Sequence, residues 1–100
     1  MASDTRSENL KRLLKPRHIA FFGGAALGDP IRSCQSAGFQ GEIWVVNPRR
    51  DEVAGYKCHR SVAELPEPPD ASFIAVNREE TVAVVRDLAA RGAGGAVAYA

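Results

Sequence analysis

Residues 17–28 read RHIAFFGGAALG, and the arrangement of the rest of the chain follows from this stretch. Residues 19–22 form a continuous apolar run, short enough for a strand that is buried on both faces. The run ends at two glycines, and a third, Gly28, stands just before Asp29 and Pro30, which are favoured at the N-cap and the first position of a helix. The stretch therefore predicts a strand, a glycine-rich turn and the start of a helix.

A turn of this kind presents backbone N–H groups and the positive end of a helix dipole to an anion, most often a phosphate. The spacing here is G-G-x-x-x-G, which departs from the G-x-G-x-x-G of dinucleotide-binding proteins. The G-x-x-x-x-G-K-[ST] phosphate loop is absent from the sequence as well. The turn alone predicts an anion site, and a tight turn that binds nothing stays an alternative.

The chain has 100 residues, of which 45% are hydrophobic, and its formal net charge is +1. This length and composition predict one small domain with a hydrophobic core. The charge is uneven, because residues 11–60 contain nine Lys or Arg and four Asp or Glu, whereas residues 61–100 contain three and six. The basic half contains the glycine turn, so we expect a small anionic ligand there and no nucleic-acid partner.

Cys34 and Cys58 are too few for a disulfide framework and suit a reducing compartment. No apolar run approaches the about 18 residues of a membrane-spanning helix, and the chain does not open with a signal-peptide pattern. We therefore expect a soluble, cytoplasmic protein without a membrane partner. His18 and His59 have no neighbours at metal-ligand spacing, and the sequence shows no catalytic constellation, so we predict neither a metal site nor catalytic residues.

A second apolar run, EIWVV at residues 42–46, predicts the second strand, which ends at Asn47-Pro48-Arg49-Arg50. In a dinucleotide-binding fold an acidic residue at this point holds the ribose hydroxyls, and an arginine accommodates a phosphorylated ribose. This chain has two arginines there, which favours a ligand with an extra phosphate beside its adenosine. NADP and coenzyme A both carry such a phosphate, so both stay open, as does a pair of exposed arginines that bind nothing.

The remaining segments alternate between helix and strand patterns. Predicted helices cover about residues 30–37 and 78–91, and predicted strands cover about residues 55–59, 71–76 and 96–100. This alternation of apolar strands with helices predicts an α/β fold, a Rossmann-like doubly wound parallel sheet of about five strands in the order 3-2-1-4-5. Ligands of such sheets bind at the carboxyl ends of the strands, where the glycine turn and the arginines meet.

Short polar residues mark the expected helix starts. Ser61 with Glu64 and Asn77 with Glu80 fit capping boxes, and Asp29 is the expected N-cap of the first long helix. For the last helix we predict an inward stripe of four apolar residues, namely Val82, Val85, Leu88 and Ala89. A short amphipathic helix is also expected near the N-terminus, with a cap, three leucines on one face and a terminating proline: Ser7, Leu10, Leu13, Leu14 and Pro16.

Several segments carry a resemblance to a known family: LLKPRHIAFFGG at residues 13–24, AGFQGEIWVVNPRRDEVAGYKCHRSVAELPEPPD at 37–70, FIAVNREETVAVV at 73–85 and RGAGGAVAYA at 91–100. In these segments the chain resembles the N-terminal CoA-binding domain of the NDP-forming acyl-CoA synthetases. That group includes the ADP-forming acetate–CoA ligases and the alpha subunit of succinyl-CoA synthetase. The resemblance implies a Rossmann-like, CoA-binding domain of an acid–thiol ligase over residues 10–100, after a flexible N-terminal tail of residues 1–9.

The resemblance also implies where coenzyme A binds. The turn after the first strand would hold the phosphates of the coenzyme, the basic residue after the second strand maps best to Arg50, and the ends of the last two strands complete the site. The implied site residues are Gly23, Gly24, Ala25, Ala26, Leu27, Gly28, Asn47, Pro48, Arg49, Arg50, Val76, Asn77 and Tyr99. The implied partners are coenzyme A and the remaining domains or subunit of an acyl-CoA synthetase, and a homo-oligomer is an open alternative.

The chain departs from the family pattern at two points. A Gly-Gly-Ala sequence with a shorter loop replaces the usual Gly-Ala-Ser turn, and Asn77 stands where a proline usually follows the fourth strand. These 100 residues look like a piece of a longer enzyme or a lone binding domain, without the phosphorylated histidine and the nucleotide-grasp domain of the full enzymes. An NADP-binding domain of an oxidoreductase and a non-catalytic regulatory domain that has lost its ligand stay open as alternatives.

Overall fold

The computed structural model describes residues 15–98. Within this range the strands form one six-stranded sheet: β1 (His18–Phe22), β2 (Glu42–Val46), β3 (Glu52–Val53), β4 (Tyr56–His59), β5 (Ala71–Ile74) and β6 (Gly95–Ala98). Two α-helices, α1 (Gly28–Ser36) and α2 (Arg78–Ala90), and two 3₁₀ turns, Ala25–Leu27 and Val62–Glu64, connect the strands. The expected N-terminal tail and the helix after Ser7 lie outside the described residues, as does Tyr99.

The order of the sheet is β3-β4-β2-β1-β5-β6. Five of these strands are parallel and reproduce the predicted order 3-2-1-4-5, with β1 at the centre between β2 and β5. In the register of the sheet, Ala20 lies between Trp44 and Ser72. The predicted α/β class and Rossmann-like, mostly parallel sheet are confirmed, and the carboxyl ends of β1, β2 and β5 lie together at one edge.

The remaining strand, β3, was not predicted from the sequence. It pairs antiparallel with β4 across a two-residue turn of Ala54 and Gly55, whose φ angles are 53° and 84°. Positive φ at both central residues is typical of a type I′ hairpin turn. Two residues are too few to show an alternating pattern, and Ala-Gly is not one of the common sequences for this turn. The hairpin stands where a helix usually connects two parallel neighbours.

Helix α1 begins at Gly28, and the prediction that Asp29 caps it is wrong. The N-cap is Leu27, which provides no side-chain hydrogen bond, and Asp29 instead pairs with Arg32 one turn later. The reason is the 3₁₀ turn Ala25–Leu27, in which the amide of Leu27 donates to the carbonyl of Gly24 over 2.9 Å. The chain already follows a helical path before it reaches Asp29, so that residue lies inside the helix.

The sheet has a hydrophobic cluster on each face, because successive strand residues point to opposite sides. Phe22 packs with Leu88 of α2 on one face, and Phe21 packs with Ile31 of α1 on the other. The predicted inward stripe of α2 is largely wrong, since Val82 and Val85 are 53% and 43% exposed. Its inward face is narrow, since Thr81 and Val84 are half-buried and Leu88 is buried.

The two predicted capping boxes form only in part. Asn77 caps α2, because its side-chain oxygen accepts a hydrogen bond from the amide of Glu80 over 2.8 Å. Ser61 makes no side-chain cap bond, so that prediction is wrong. Glu64 instead reaches past Ser61 and accepts a hydrogen bond from the amide of Arg60 over 3.1 Å. The turn that follows, Val62–Glu64, is a single 3₁₀ turn that presents only a few amides to cap.

Candidate functional site

A cleft of about 420 Å³ opens at the carboxyl ends of β1, β2 and β5. Its walls are the glycine turn, the loop after β2, the end of β5 and the first turn of α2. Seven residues of the site expected from the sequence line it: Gly23, Gly24, Asn47, Pro48, Arg49, Arg50 and Val76. Three further residues, Val46, Ala75 and Glu80, line the cleft but are not among the site residues expected from the sequence.

The other expected site residues lie elsewhere or outside the described range. Leu27 is fully buried in the core on the α1 face of the sheet, and its side chain does not line the cleft. The side chain of Asn77 is used as the cap of α2. Ala25 and Ala26 are exposed on the 3₁₀ turn, and Gly28 lies beside the side chain of Arg32. The cleft is therefore built from the first two residues of the glycine turn and not from its whole length.

Gly23 and Gly24 have different physical roles in the turn. Gly23 has a φ of +152°, and a Cβ atom there would lie 2.9 Å from the carbonyl oxygen of Ala75 and 3.3 Å from Cγ of Leu27. A Cβ atom at Gly24 would lie 3.8 Å from Nδ2 of Asn47 and 3.9 Å from Nε of Arg50, which are ordinary contacts. Gly23 thus serves the packing of the strand ends, whereas Gly24 lies next to the arginine side chain in the cleft.

Asn47 ties the glycine turn to the arginine loop. Its Nδ2 donates a hydrogen bond to the carbonyl oxygen of Gly23 over 2.9 Å. Its Oδ1 accepts from the amides of Arg49 over 2.8 Å and Arg50 over 2.9 Å, which is the arrangement of an Asx turn. Both polar side-chain atoms of Asn47 therefore have partners within the protein, and the residue sets the spacing between the two walls of the cleft.

Arg60, which follows β4, holds the same loop from its other side. Its Nη1 donates to the carbonyl oxygens of Pro48 over 3.3 Å and Arg50 over 3.1 Å, and its Nη2 pairs with the carboxylate of Asp51. Within residues 15–98 the guanidinium groups of Arg49 and Arg50 have no hydrogen-bond or ion-pair partner. The backbone of the loop is thus fixed, while two positive side chains at the cleft stay available for an anion.

A second pocket of about 240 Å³ adjoins the cleft and is mainly apolar. It lies between α2 and the 3₁₀ turn Val62–Glu64, and its walls include Phe22 and Val84. Four residues line both the cleft and this pocket: Val46, Pro48, Val76 and Glu80. The two cavities therefore form one continuous groove with a cationic end and an apolar end, and such a groove suits a ligand with phosphates and a flat ring.

The titratable groups away from the groove have structural surroundings. At the opposite edge of the sheet His18 is buried, its ring stacks on Trp44 with centroids 4.5 Å apart, and its Nδ1 accepts from the amide of Asp70 over 3.0 Å. Burial raises the pKa of the thiols of Cys34 and Cys58, which disfavours the nucleophilic thiolate. Among residues 15–98, no group of His, Cys, Asp and Glu is arranged to hold a metal ion.

Within the same range, none of the helices has the length and apolar character needed to cross a membrane.

A family model described as a CoA binding domain matches residues 26–100 of this chain. A trans-feruloyl-CoA synthase from an unknown prokaryotic organism is 39% identical over 98 residues, covering 93% of this chain and 14% of that protein. An ADP-forming acetate–CoA ligase II from Archaeoglobus fulgidus is 31% identical over 94 residues, covering 89% of this chain and 14% of that protein. The chain thus spans a small part of the length of these curated relatives.

Solved structures show the same fold. The dinucleotide-forming acetyl-coenzyme A synthetase 1 of Ca. Korarchaeum cryptofilum aligns with a TM-score of 0.73 and 32% identity, covering 87% of this chain and 20% of that one. A conserved hypothetical protein from Pyrococcus furiosus aligns with a TM-score of 0.70 and 30% identity, covering 83% of this chain and 74% of that one. The fold therefore occurs within a much longer chain and in one of nearly comparable length.

Proposed function

The chain belongs to the CoA-binding domain family of the NDP-forming acyl-CoA synthetases, and we propose that its groove holds the ADP portion of coenzyme A. One observation carries the proposal: the glycine turn lines a single cleft at the carboxyl edge of the sheet together with two arginines whose guanidinium groups have no partner within residues 15–98. This edge is where ligands of doubly wound sheets bind. The groove offers one region for each part of the ligand, as follows.

The diphosphate of the coenzyme lies against the glycine turn. The 3₁₀ turn Ala25–Leu27 continues directly into α1, so the start of this helical segment has backbone N–H groups without intrahelical acceptors. Such groups and the helix dipole favour an anion. Gly24 leaves room for close approach, since the nearest side-chain atoms around a Cβ built there are 3.8 Å and 3.9 Å away.

The 3′-phosphate of the ribose lies against Arg49 and Arg50. Both side chains are exposed at the mouth of the cleft, and a guanidinium group can donate two parallel hydrogen bonds to a phosphate. Asn47 and Arg60 fix the backbone of the loop, so binding need not order it. The lack of an acidic residue at this point favours a phosphorylated ribose over the free hydroxyls of NAD.

The adenine ring lies in the apolar pocket, between Pro48 and Val76 on one side and α2 on the other. With the ADP portion held there, the thiol arm extends towards reacting groups that the rest of an acyl-CoA synthetase supplies. We infer that this chain works with those domains or with a partner subunit, in the cytoplasm, and that residues 10–100 form the domain. Its own contribution is to bind and orient the coenzyme.

Calorimetric titration with coenzyme A, dephospho-CoA, NADP and NAD tests the proposal. We expect coenzyme A to bind most tightly of the four ligands. Arg50→Glu should lower the affinity for coenzyme A by roughly 10- to 100-fold, since hydrogen bonds to charged groups contribute about 1.5–3 kcal/mol. The affinity for dephospho-CoA should fall much less, because this ligand lacks the 3′-phosphate. Arg86→Glu is the matched control, because this exposed arginine of α2 lines neither cavity.

If Arg50→Glu lowers the affinities for coenzyme A and dephospho-CoA equally, Arg50 contacts the diphosphate and not the ribose phosphate. Tighter binding of NADP than of coenzyme A would favour the oxidoreductase alternative. No binding of any of the four by the folded chain would favour a domain that has lost its ligand.

A further inference from the structure

Four residues line both the cationic cleft and the apolar pocket and so form the junction of the two cavities: Val46, Pro48, Val76 and Glu80. Three of them have apolar side chains. Glu80, an exposed residue in the first turn of α2, is the one whose side chain can form hydrogen bonds. A carboxylate repels phosphates, so its position beside an anion site requires a physical reason.

The sequence pattern suggests capping as that reason, and the structure gives the carboxylate no such use. In a complete capping box the Glu80 carboxylate would accept a hydrogen bond from the amide of Asn77. Only the converse bond is present, from the amide of Glu80 to the side chain of Asn77 over 2.8 Å. Within residues 15–98 the carboxylate has no hydrogen-bond or ion-pair partner. Its acceptor oxygens are thus available to a ligand.

The connectivity of coenzyme A decides which part of the ligand lies at this junction. The ribose joins the phosphates to the adenine ring, so it lies between them when the phosphates are in the cleft and the ring is in the apolar pocket. The 3′ oxygen of this ribose carries a phosphate, and the free 2′-hydroxyl is the one group of the sugar that can donate a hydrogen bond. An ionised carboxylate only accepts hydrogen bonds, so the 2′-hydroxyl is its matching group.

We propose that Glu80 is a specificity-determining residue that distinguishes a 3′-phosphorylated ribose from a 2′-phosphorylated one. Its carboxylate accepts a hydrogen bond from the 2′-hydroxyl of coenzyme A, and the same charge repels the 2′-phosphate of NADP. Arg49 and Arg50 attract a phosphate at either position, whereas the carboxylate favours one and opposes the other. The proposal rests on the proposed function and adds to it how the groove separates these two ligands.

Two other carboxylates of α2 provide matched comparisons. Asp87, about two turns further along the helix, lines the apolar pocket but not the cleft, so it faces the region of the ring and not the junction. Glu79 lies in the same first turn as Glu80 and lines neither cavity. An effect of the helix dipole would be shared by Glu79 and Glu80, and a general effect of negative charge would be shared by all three residues. Recognition of the ribose would be confined to Glu80.

Calorimetric titration with three small ligands tests the proposal: adenosine 3′,5′-bisphosphate, its 2′-deoxy form and adenosine 2′,5′-bisphosphate. The wild-type chain should bind the 3′,5′-bisphosphate most tightly. The 2′-deoxy form should bind roughly 10-fold more weakly, because a hydrogen bond to a charged acceptor is lost. The 2′,5′-bisphosphate should bind more weakly still, by roughly 100-fold, because a phosphate then faces the carboxylate.

The variants separate the hydrogen bond from the charge. Glu80→Ala should bind the 3′,5′-bisphosphate and its 2′-deoxy form with nearly equal affinities, and its discrimination against the 2′,5′-bisphosphate should fall by roughly 10-fold. Glu80→Gln keeps an acceptor without the charge, so it should retain part of the preference for the 2′-hydroxyl and lose the repulsion of the 2′-phosphate. Glu79→Ala and Asp87→Ala should leave the ratios of the dissociation constants as in the wild type.

An unchanged preference for the 2′-hydroxyl in Glu80→Ala would overturn the assignment, as would an equal change of the ratios in Glu79→Ala or Asp87→Ala. An equal gain in affinity for all three ligands in Glu80→Ala would show a general electrostatic effect and would overturn it too.

The proposed function fails in a different way. If the wild-type chain binds neither coenzyme A nor the 3′,5′-bisphosphate, both proposals are removed. Binding of coenzyme A without binding of the 3′,5′-bisphosphate would contradict the placement of the ADP portion and would overturn the present inference with it. If both ligands bind and Arg50→Glu selectively weakens coenzyme A, the ratios measured for Glu80→Ala judge the present inference alone.

Discussion

Substitution of the two adjacent glycines should separate folding from binding. Gly23→Ala places a methyl group 2.9 Å from the carbonyl oxygen of Ala75, on a backbone with a φ of +152°. Side-chain-bearing residues held in such sparsely populated conformations cost about 1–3 kcal/mol. For a domain of this size that cost corresponds to a fall in melting temperature of roughly 4–20 °C. Because the contact is with backbone, the clash cannot be relieved by rotation of a side chain.

Gly24→Ala is the matched variant, since its methyl group meets no atom closer than 3.8 Å. Its stability should stay within about 0.5 kcal/mol of the wild type, as for most surface substitutions. The methyl group would nevertheless lie between the glycine turn and Arg50, and it should weaken the binding of coenzyme A. Urea denaturation followed by circular dichroism and calorimetric titration measure the two effects. A Gly23→Ala variant as stable as the wild type, or a Gly24→Ala variant as destabilised as Gly23→Ala, would contradict these separate roles of the two glycines.

Two further predictions concern side chains at opposite edges of the sheet. Asn47→Ala removes the acceptor of the Arg49 and Arg50 amides. Calorimetric titration should therefore show that coenzyme A and dephospho-CoA both bind more weakly, by about 5-fold or more. Unchanged affinities for the two ligands would contradict the role of Asn47 in positioning the loop. Asp70→Ala removes the buried carboxylate that accepts a hydrogen bond from the amide of Arg17 over 2.9 Å. Urea denaturation should show a free energy of unfolding lower by about 1–3 kcal/mol. The ion pair with the exposed guanidinium of Arg17 adds little to this figure, because solvent screens it. Folded Asp70→Ala protein should bind coenzyme A as tightly as the wild type does. Weaker binding by a fully folded variant would contradict the independence of the two edges of the sheet.

The five parallel strands and their order were predictable because their signals are local. The apolar runs at residues 19–22 and 42–46 are bounded by glycine and proline, and parallel pairing follows from the alternation with helices. The meeting of the glycine turn with the arginine loop followed from topology alone. These features need no knowledge of individual side-chain contacts, which explains why they could be predicted from the sequence.

The missed features depend on contacts between distant residues. Asn47 lines the cleft as expected, but the hydrogen bond from its amide group to Gly23, which is 24 positions earlier in the chain, had no signal in the sequence. The face of α2 was misjudged because valines occur around much of the helix, so their spacing alone does not define the buried side. Glu80 matched a capping box so well that its position over the groove had no signal of its own in the sequence.

The bracing of the arginine loop by Asn47 and Arg60 has a consequence for the kinetics of ligand capture. A loop that is already hydrogen-bonded on both sides loses little conformational entropy when a phosphate arrives. Association should then proceed without a preceding rearrangement, at similar rates for coenzyme A and its close analogues. The domain would distinguish these ligands by how long each one stays bound, so its selectivity resides in dissociation rates.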